Sequence, residues 1–115
     1  MDTFTLNINE IHPGHHPKAE AWRRLSRLDR SDILAFRSDP FGVALLKEVG
    51  YVLTDGNHRV AKLYEIGEGS ILCFDRYGYN ADLSPWYERI VDLQKKRIYS
   101  FGDFLNQCQR GKFYR

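Results

Sequence analysis

Asp55-Gly56-Asn57-His58-Arg59 places a carboxylate, an imidazole and a guanidinium within five consecutive residues. Tyr51-Val52-Leu53 before it is apolar, and Val60, Ala61 and Tyr64 after it recur at helical spacing. The pattern predicts a strand over 51–54, a tight Asp-Gly turn, and a helix over about 57–66. The first turn of a helix carries unpaired amides and about half a positive charge, so it attracts anions. Gly56 lets a ligand approach the backbone closely. The amides of Asn57 and His58 and the forked donor of Arg59 suit a phosphate. Asp55, at the strand end, can hold a metal, orient a hydroxyl or act as a base. A purely structural arrangement also fits these residues: a turn capped for its own sake, with Arg59 paired to Asp55.

The chain has four histidines, and His12, His15 and His16 fall within five residues. Together with His58 and Asp55 they allow three readings. One is a transition-metal site built from His12, His15, His58 and Asp55. Another is general acid–base chemistry by His15 or His58 near neutral pH. The third is a solvated loop that caps the next helix. Asp55, His58 and His15 are the candidate catalytic residues. Gly56, Asn57, His58 and Arg59 are the candidate phosphate- and nucleotide-binding residues.

The elements that position these groups follow from periodicity and punctuation. Phe4, Leu6 and Ile8 alternate with polar residues and predict a strand over 4–8. His12-Pro13-Gly14-His15-His16-Pro17 reads as a loop, with Pro17 at a helix start. Ala19, Trp22, Leu25 and Leu28 then give a helical stripe, and Ile33, Leu34 and Phe36 a second short helix capped by Asp29 or Ser31. Val43 to Leu46 and Tyr51 to Thr54 predict two strands around a turn at Val49-Gly50, with helix the alternative for Val43 to Lys47. Ser70 to Asp75 predicts a third strand, and residues 76–83 a polar, aromatic loop. Ser84-Pro85 opens a helix bearing Trp86, Ile90 and Leu93. Ser100 to Asp103 forms a capping box ahead of a core stripe of Phe101, Phe104, Leu105 and Cys108. These elements make an α+β fold: a small mixed sheet with packed helices.

Composition narrows the function classes. The 115 residues fit one domain, 1–115. Aromatics make up 14%, too many for a disordered chain. No apolar run approaches the roughly 18 residues of a membrane helix, so no membrane partner is expected. Met1-Asp2-Thr3-Phe4 lacks a basic-then-apolar start, which leaves the cytoplasm as the expected compartment. Cys73 and Cys108 form no CxxC pair, which excludes a zinc ribbon or thioredoxin-type site. The net charge of +2 excludes a strongly basic arm. It leaves room for local patches at Arg23, Arg24, Arg27 and Arg30, at 95–97 and at 110–115, so a nucleic-acid partner stays open. Arg76, Tyr77 and Tyr79 follow the third strand, where they can stack on a base or form a plain surface turn.

Leu53-Thr54-Asp55-Gly56-Asn57-His58-Arg59-Val60-Ala61-Lys62-Leu63 resembles the Asp-Gly-x-His-Arg signature of the ParB/sulfiredoxin-like superfamily. The likeness spans about residues 4–75. It implies a ParB/sulfiredoxin-like core there, with a helical C-terminal extension over about 84–110. It further implies a nucleotide (ATP, ADP or CTP, with Mg) or a phosphorylated small molecule bound at the motif. The reactions that accompany this are phosphoryl transfer or nucleotide hydrolysis. The alternatives are a non-catalytic nucleotide- or nucleic-acid-binding switch and a ParB-like DNA nuclease. Position 57 is Asn where sulfiredoxins carry their catalytic Cys, which argues against that activity. About 40 residues follow the likeness, too few for the DNA-binding domain of partition proteins. His15 stands where kinase-like members carry an acidic residue, which argues against a serine kinase and leaves phosphate binding intact.

Overall fold

The computed structural model describes residues 2–113. Met1, and Tyr114 and Arg115 of the C-terminal basic cluster, lie outside the described residues. Among the described residues the chain forms a five-stranded mixed sheet and five α-helices, the α+β class expected. The strands are β1 (Thr3–Asn7), β2 (Ile11–His12), β3 (Phe41–Leu46), β4 (Gly50–Leu53) and β5 (Ser70–Asp75). Their spatial order is β1-β5-β3-β4-β2. β3 runs parallel to β5 and β2 parallel to β4, while the β1–β5 and β3–β4 pairs are antiparallel. The helices are α1 (Ala19–Leu25), α2 (Arg30–Leu34), α3 (Asn57–Glu65), α4 (Ser84–Lys95) and α5 (Phe101–Gln109). None of them is long and apolar enough to cross a membrane.

Strand alternation divides the interior in two. Phe41, Val43, Leu53, Ile71 and Cys73 meet Val60, Ala61 and Leu63 of α3 and Phe101, Phe104 and Cys108 of α5 on one face. Ala44, Leu46 and Val52 meet Trp86 and Ile90 of α4 on the other. The C-terminal helices are therefore layers of the domain, one on each side of the sheet. The capping box of α5 forms as the sequence predicts: Asp103 N–H donates to Ser100 Oγ and Ser100 N–H to Asp103 Oδ2. In α2 the Asp29–Asp32 pair makes the same motif. Cys73 and Cys108 are buried free thiols whose pKa burial pushes up to about 12, so they stay protonated.

Several boundaries differ from the sequence reading. β1 ends at Asn7, whose side chain accepts from Asn9 N–H and starts a 3-10 turn over Ile8–Glu10. His12, expected in a loop, lies in β2, pairing with Val52. The β3–β4 turn falls at 47–49, where Glu48 takes a left-handed φ of 69°, one position before the expected Val49-Gly50. Val43 to Leu46 is strand, paired with both β4 and β5, which removes the helical alternative. α3 stops at Glu65, one residue early, with Gly67 left-handed behind it. Phe36 sits in a 3-10 turn over Ala35–Ser38 after α2. Leu83, not Ser84, is the N-cap of α4, and Asp82 accepts from Ser84 N–H instead. Leu105 is half-buried, because it faces the rim of α5 rather than the sheet. No side chain of α1 is fully buried, although Trp22 and Leu25 are half-covered.

Phe104 is fully buried between Phe101, 5.7 Å away centroid to centroid, and the His58 ring at 5.1 Å. Phe104→Ala is expected to cost about 3–5 kcal/mol. Urea unfolding measures this, and a loss below 1 kcal/mol would show that α5 is not part of the core.

Candidate functional site

The predicted strand–Asp-Gly–helix unit forms. β4 ends at Leu53, and Gly56 is the N-cap of α3 with φ 79°. That left-handed conformation favours glycine. Space enforces the choice as well, because a Cβ at position 56 would lie 2.9 Å from both the Phe41 ring and Arg59 Nη2. The first intrahelical bond runs from Val60 N–H to Gly56 O, and no side chain caps the helix. The amides of Asn57, His58 and Arg59 are thus the orphan donors of this terminus. The Gly56 amide is not among them, since it donates to Asp55 Oδ1 at 2.9 Å.

The side chains of the motif take different roles. Asn57 is buried at 3% exposure and points inward. Its Oδ1 accepts from Gly14 N–H at 2.9 Å, and its Nδ2 donates to Leu53 O at 3.5 Å. Only its backbone is available to a ligand. Arg59 lies over the rings of Phe41 and Phe36, 5.4 and 5.9 Å from their centroids. Among the described residues its guanidinium has no ion pair or hydrogen bond, so the structural Asp55–Arg59 pairing does not form. Asp55 is exposed, and the bond to its carboxylate is the one that Gly56 N–H donates to Oδ1.

The loop of 13–17 packs against this motif, and its histidines separate. β2 alternates, so Ile11 enters the α3–α5 core while His12 points to the α4 face. There His12 Nδ1–H donates to Pro13 O at 2.6 Å, and Gln94 Nε2 donates to His12 Nε2 at 3.4 Å. His15 does reach the motif: Nε2–H donates to Thr54 O at 3.0 Å, while Nδ1 accepts from Arg89 at 2.6 Å. His58 Nε2 accepts from the N-cap amide of α1, Lys18 N–H, at 2.9 Å. His16 Nε2 meets Asp92 Oδ2 at 2.7 Å. These partners assign the tautomers. Among the described residues no group of three or more His, Cys, Asp or Glu is placed to hold a metal ion. The four-residue metal arrangement of His12, His15, His58 and Asp55 is not assembled, because strand alternation sends His12 to the other face.

Together these groups wall an open pocket of about 410 Å³. Asp55 to Arg59 form its floor, His15, His16 and Lys18 one side, and Ala21, Arg24 and Leu25 of α1 the other. Its formal charges are three cations, Lys18, Arg24 and Arg59, against one carboxylate, Asp55. Burial lowers the pKa of both His15 and His58. For His58 the cations Lys18 and Arg24 add to the effect and bring it to about 4. Both rings are neutral at pH 7, and each already spends its acceptor nitrogen on a protein donor. Lys18 and Arg24 are the pocket residues that the motif alone did not identify. The signal for Arg24 was the basic patch at 23–30, which becomes part of the site only once α1 folds back beside α3; Lys18 carried no signal of its own.

No family model and no curated protein matches the chain. Its fold is similar to that of protein Atu1540 from Agrobacterium tumefaciens, a crystal structure, with a TM-score of 0.50 and 15% sequence identity. The similarity covers 85% of this chain and 50% of that one, so the chain spans about half the length of that protein.

Asn57→Ala leaves the Gly14 amide buried without an acceptor, an expected cost of about 1–3 kcal/mol in chemical denaturation. An unchanged midpoint would mean that the loop is held by something else. The second expectation concerns acid. His58 titrates near 6.5 when unfolded and near 4 when folded, so the unfolded chain takes up the proton first as pH falls. Stability should therefore decline from pH 6.5 towards 4, by roughly 3 kcal/mol from this group. His58→Gln, which keeps an acceptor for Lys18 N–H, should flatten that decline in pH-dependent unfolding curves. Equal slopes in the two proteins would clear His58 as the cause.

Proposed function

We propose that the pocket at the start of α3 binds the phosphate of a nucleotide or another phosphorylated small molecule, in a cytoplasmic domain of ParB/sulfiredoxin-like type. The observation that carries this reading is the uncapped end of α3. Its free amides open into a pocket where three cations face a single carboxylate. Orphan donors, the helix dipole and a guanidinium without an anionic partner all favour the same ligand, a compact oxyanion. ATP, ADP and CTP are the probes that the motif suggests. A phosphate-borne Mg²⁺ fits Asp55, since Mg²⁺ commonly binds proteins through one or two carboxylates plus phosphate oxygens.

Phosphoryl transfer or hydrolysis on this site would fall to Asp55 as base, through Oδ2. The histidines are poorly placed for that role, because the basic nitrogen of His15 accepts from Arg89 and that of His58 from Lys18 N–H. This occupancy favours a second reading, a nucleotide-binding switch or accessory module without turnover. Product assays with ATP and CTP separate the two readings, and metal-dependent nicking of plasmid would identify the nuclease alternative.

Calorimetric titration with these nucleotides tests the binding. Arg59→Ala is expected to weaken it by about 1.5–3 kcal/mol, the range of a charge-assisted hydrogen bond, or about tenfold to a hundredfold. Arg59→Lys should recover only part of the loss, because an ammonium lacks the planar fork. Both variants lose ring packing, so affinity is read on protein that melting curves show to be folded. Unchanged affinity in Arg59→Ala would remove the site.

A further inference from the structure

Residues 18–30 carry five basic side chains and two acidic ones, a surplus of three, whereas the whole chain has a surplus of two. Local surpluses of positive charge therefore stand against a near-balanced whole: this one on α1 and the turn that leads into α2, beside those at 95–97 and 110–115. Arg23, Arg24, Arg27 and Arg30 are all exposed. Among the described residues none of their guanidinium groups has an ion pair or hydrogen bond. Some basic residues elsewhere do have partners: Arg37 with Glu68, Lys62 with Glu65, and Arg89 with His15. Of the two acids in the segment, Asp29 is used as the cap of α2. The dipole of α1 accounts for cations at Arg23 and Arg24, in its last turn, but opposes Arg30 at the first position of α2. Helix dipoles therefore do not account for the whole band. Arg24 belongs to it and also lines the phosphate pocket.

We infer that the band is a track for a nucleic-acid backbone, and that the pocket's ligand is the terminal phosphate of a single strand. This rests on the phosphate reading of the pocket. α1, which carries Arg23 and Arg24, spans about 10 Å, and Arg27 and Arg30 lie in the turn and at the start of α2 beyond it. Trp22, the aromatic residue of α1, is turned inward, its ring covered by the Lys62 ammonium at 4.0 Å. The band thus offers charge without a stacking platform, and recognition is by phosphate and independent of sequence. A strand end is what can bring one phosphate down to the α3 amides while its neighbours lie along the arginines.

The test uses a labelled single-stranded oligonucleotide with a 5′-phosphate, read by fluorescence anisotropy over a salt series, beside titration with a mononucleotide. The triple variant Arg23→Ala/Arg27→Ala/Arg30→Ala changes the band and leaves every pocket residue in place. It should weaken oligonucleotide binding at least about tenfold and lower the salt slope by about 2, from three lost phosphate contacts. Its mononucleotide affinity should match the wild type. Unchanged oligonucleotide binding and slope in the triple variant would overturn the track while leaving the pocket reading standing. Equal displacement of the oligonucleotide by polyglutamate would also overturn it, in favour of an acidic peptide. A wild type that binds the oligonucleotide through the band but binds no mononucleotide would instead sink the pocket reading.

Discussion

The site depends on one close approach. Gly14 lies so tightly between the Leu53 carbonyl and the Trp86 ring that a Cβ there would collide with both. Asn57 Oδ1 then accepts the Gly14 amide from the first turn of α3. This bond joins residues 43 apart in sequence and fastens the 13–17 loop across the end of β4. Everything that walls the pocket on that side follows from it. His15 reaches Thr54 O because Gly14 is pinned, and Lys18 reaches His58 because Pro17 carries the chain onward from the same point. The residue with the most ligand-like position in the motif is thus a structural clamp, which leaves the backbone amides around it as the unpaired donors.

The pocket's electrostatics follow from the same packing. His58 is held against Phe104 and among cations, which keeps its imidazole neutral. His15 is desolvated beside Trp86 and beneath Arg89. The positive character of the pocket therefore comes from Lys18, Arg24 and Arg59. Arg59 is held by rings rather than by a carboxylate, which leaves its hydrogen-bonding edge uncommitted. An aromatic shelf can orient a guanidinium without neutralising it, whereas an ion pair with Asp55 would have cancelled the charge a phosphate needs.

What the sequence revealed was local. The Asp-Gly turn, the apolar period of 60–64 and the capping box at 100–103 are set by residues within a few positions, and all three appear where expected. The expectations that failed needed contacts across the chain. A two-residue strand has no period to read, so His12 looked like part of a loop, and its face was fixed only by pairing with Val52. The inward turn of Asn57 was invisible because its partner is Gly14. The N-cap of α4 shifted to Leu83 because Asp82 was available to take the Ser84 amide. Arg24 read only as part of a local basic patch, and Lys18 was not singled out at all, because their place in the pocket depends on how α1 docks. The arrangement with the most chemistry was the least legible for a plain physical reason: it is assembled from two stretches far apart in sequence, 15–25 and 55–59.

That docking is slight. α1 contributes no fully buried side chain and is held by the half-covered Trp22 and Leu25 and by a single amide given to His58. Its backbone amides are expected to exchange with solvent through local opening, well before those of α3 or the central strands. An anion bridging Arg24 and Lys18 to the α3 amides, as the proposed function requires, would tie α1 down, and ordering this helix would then be part of the proposed binding event. Observed affinity then falls short of the intrinsic contact strength by the free energy of closing α1. Protection of α1 against deuterium uptake becomes a reporter of occupancy even where no turnover follows.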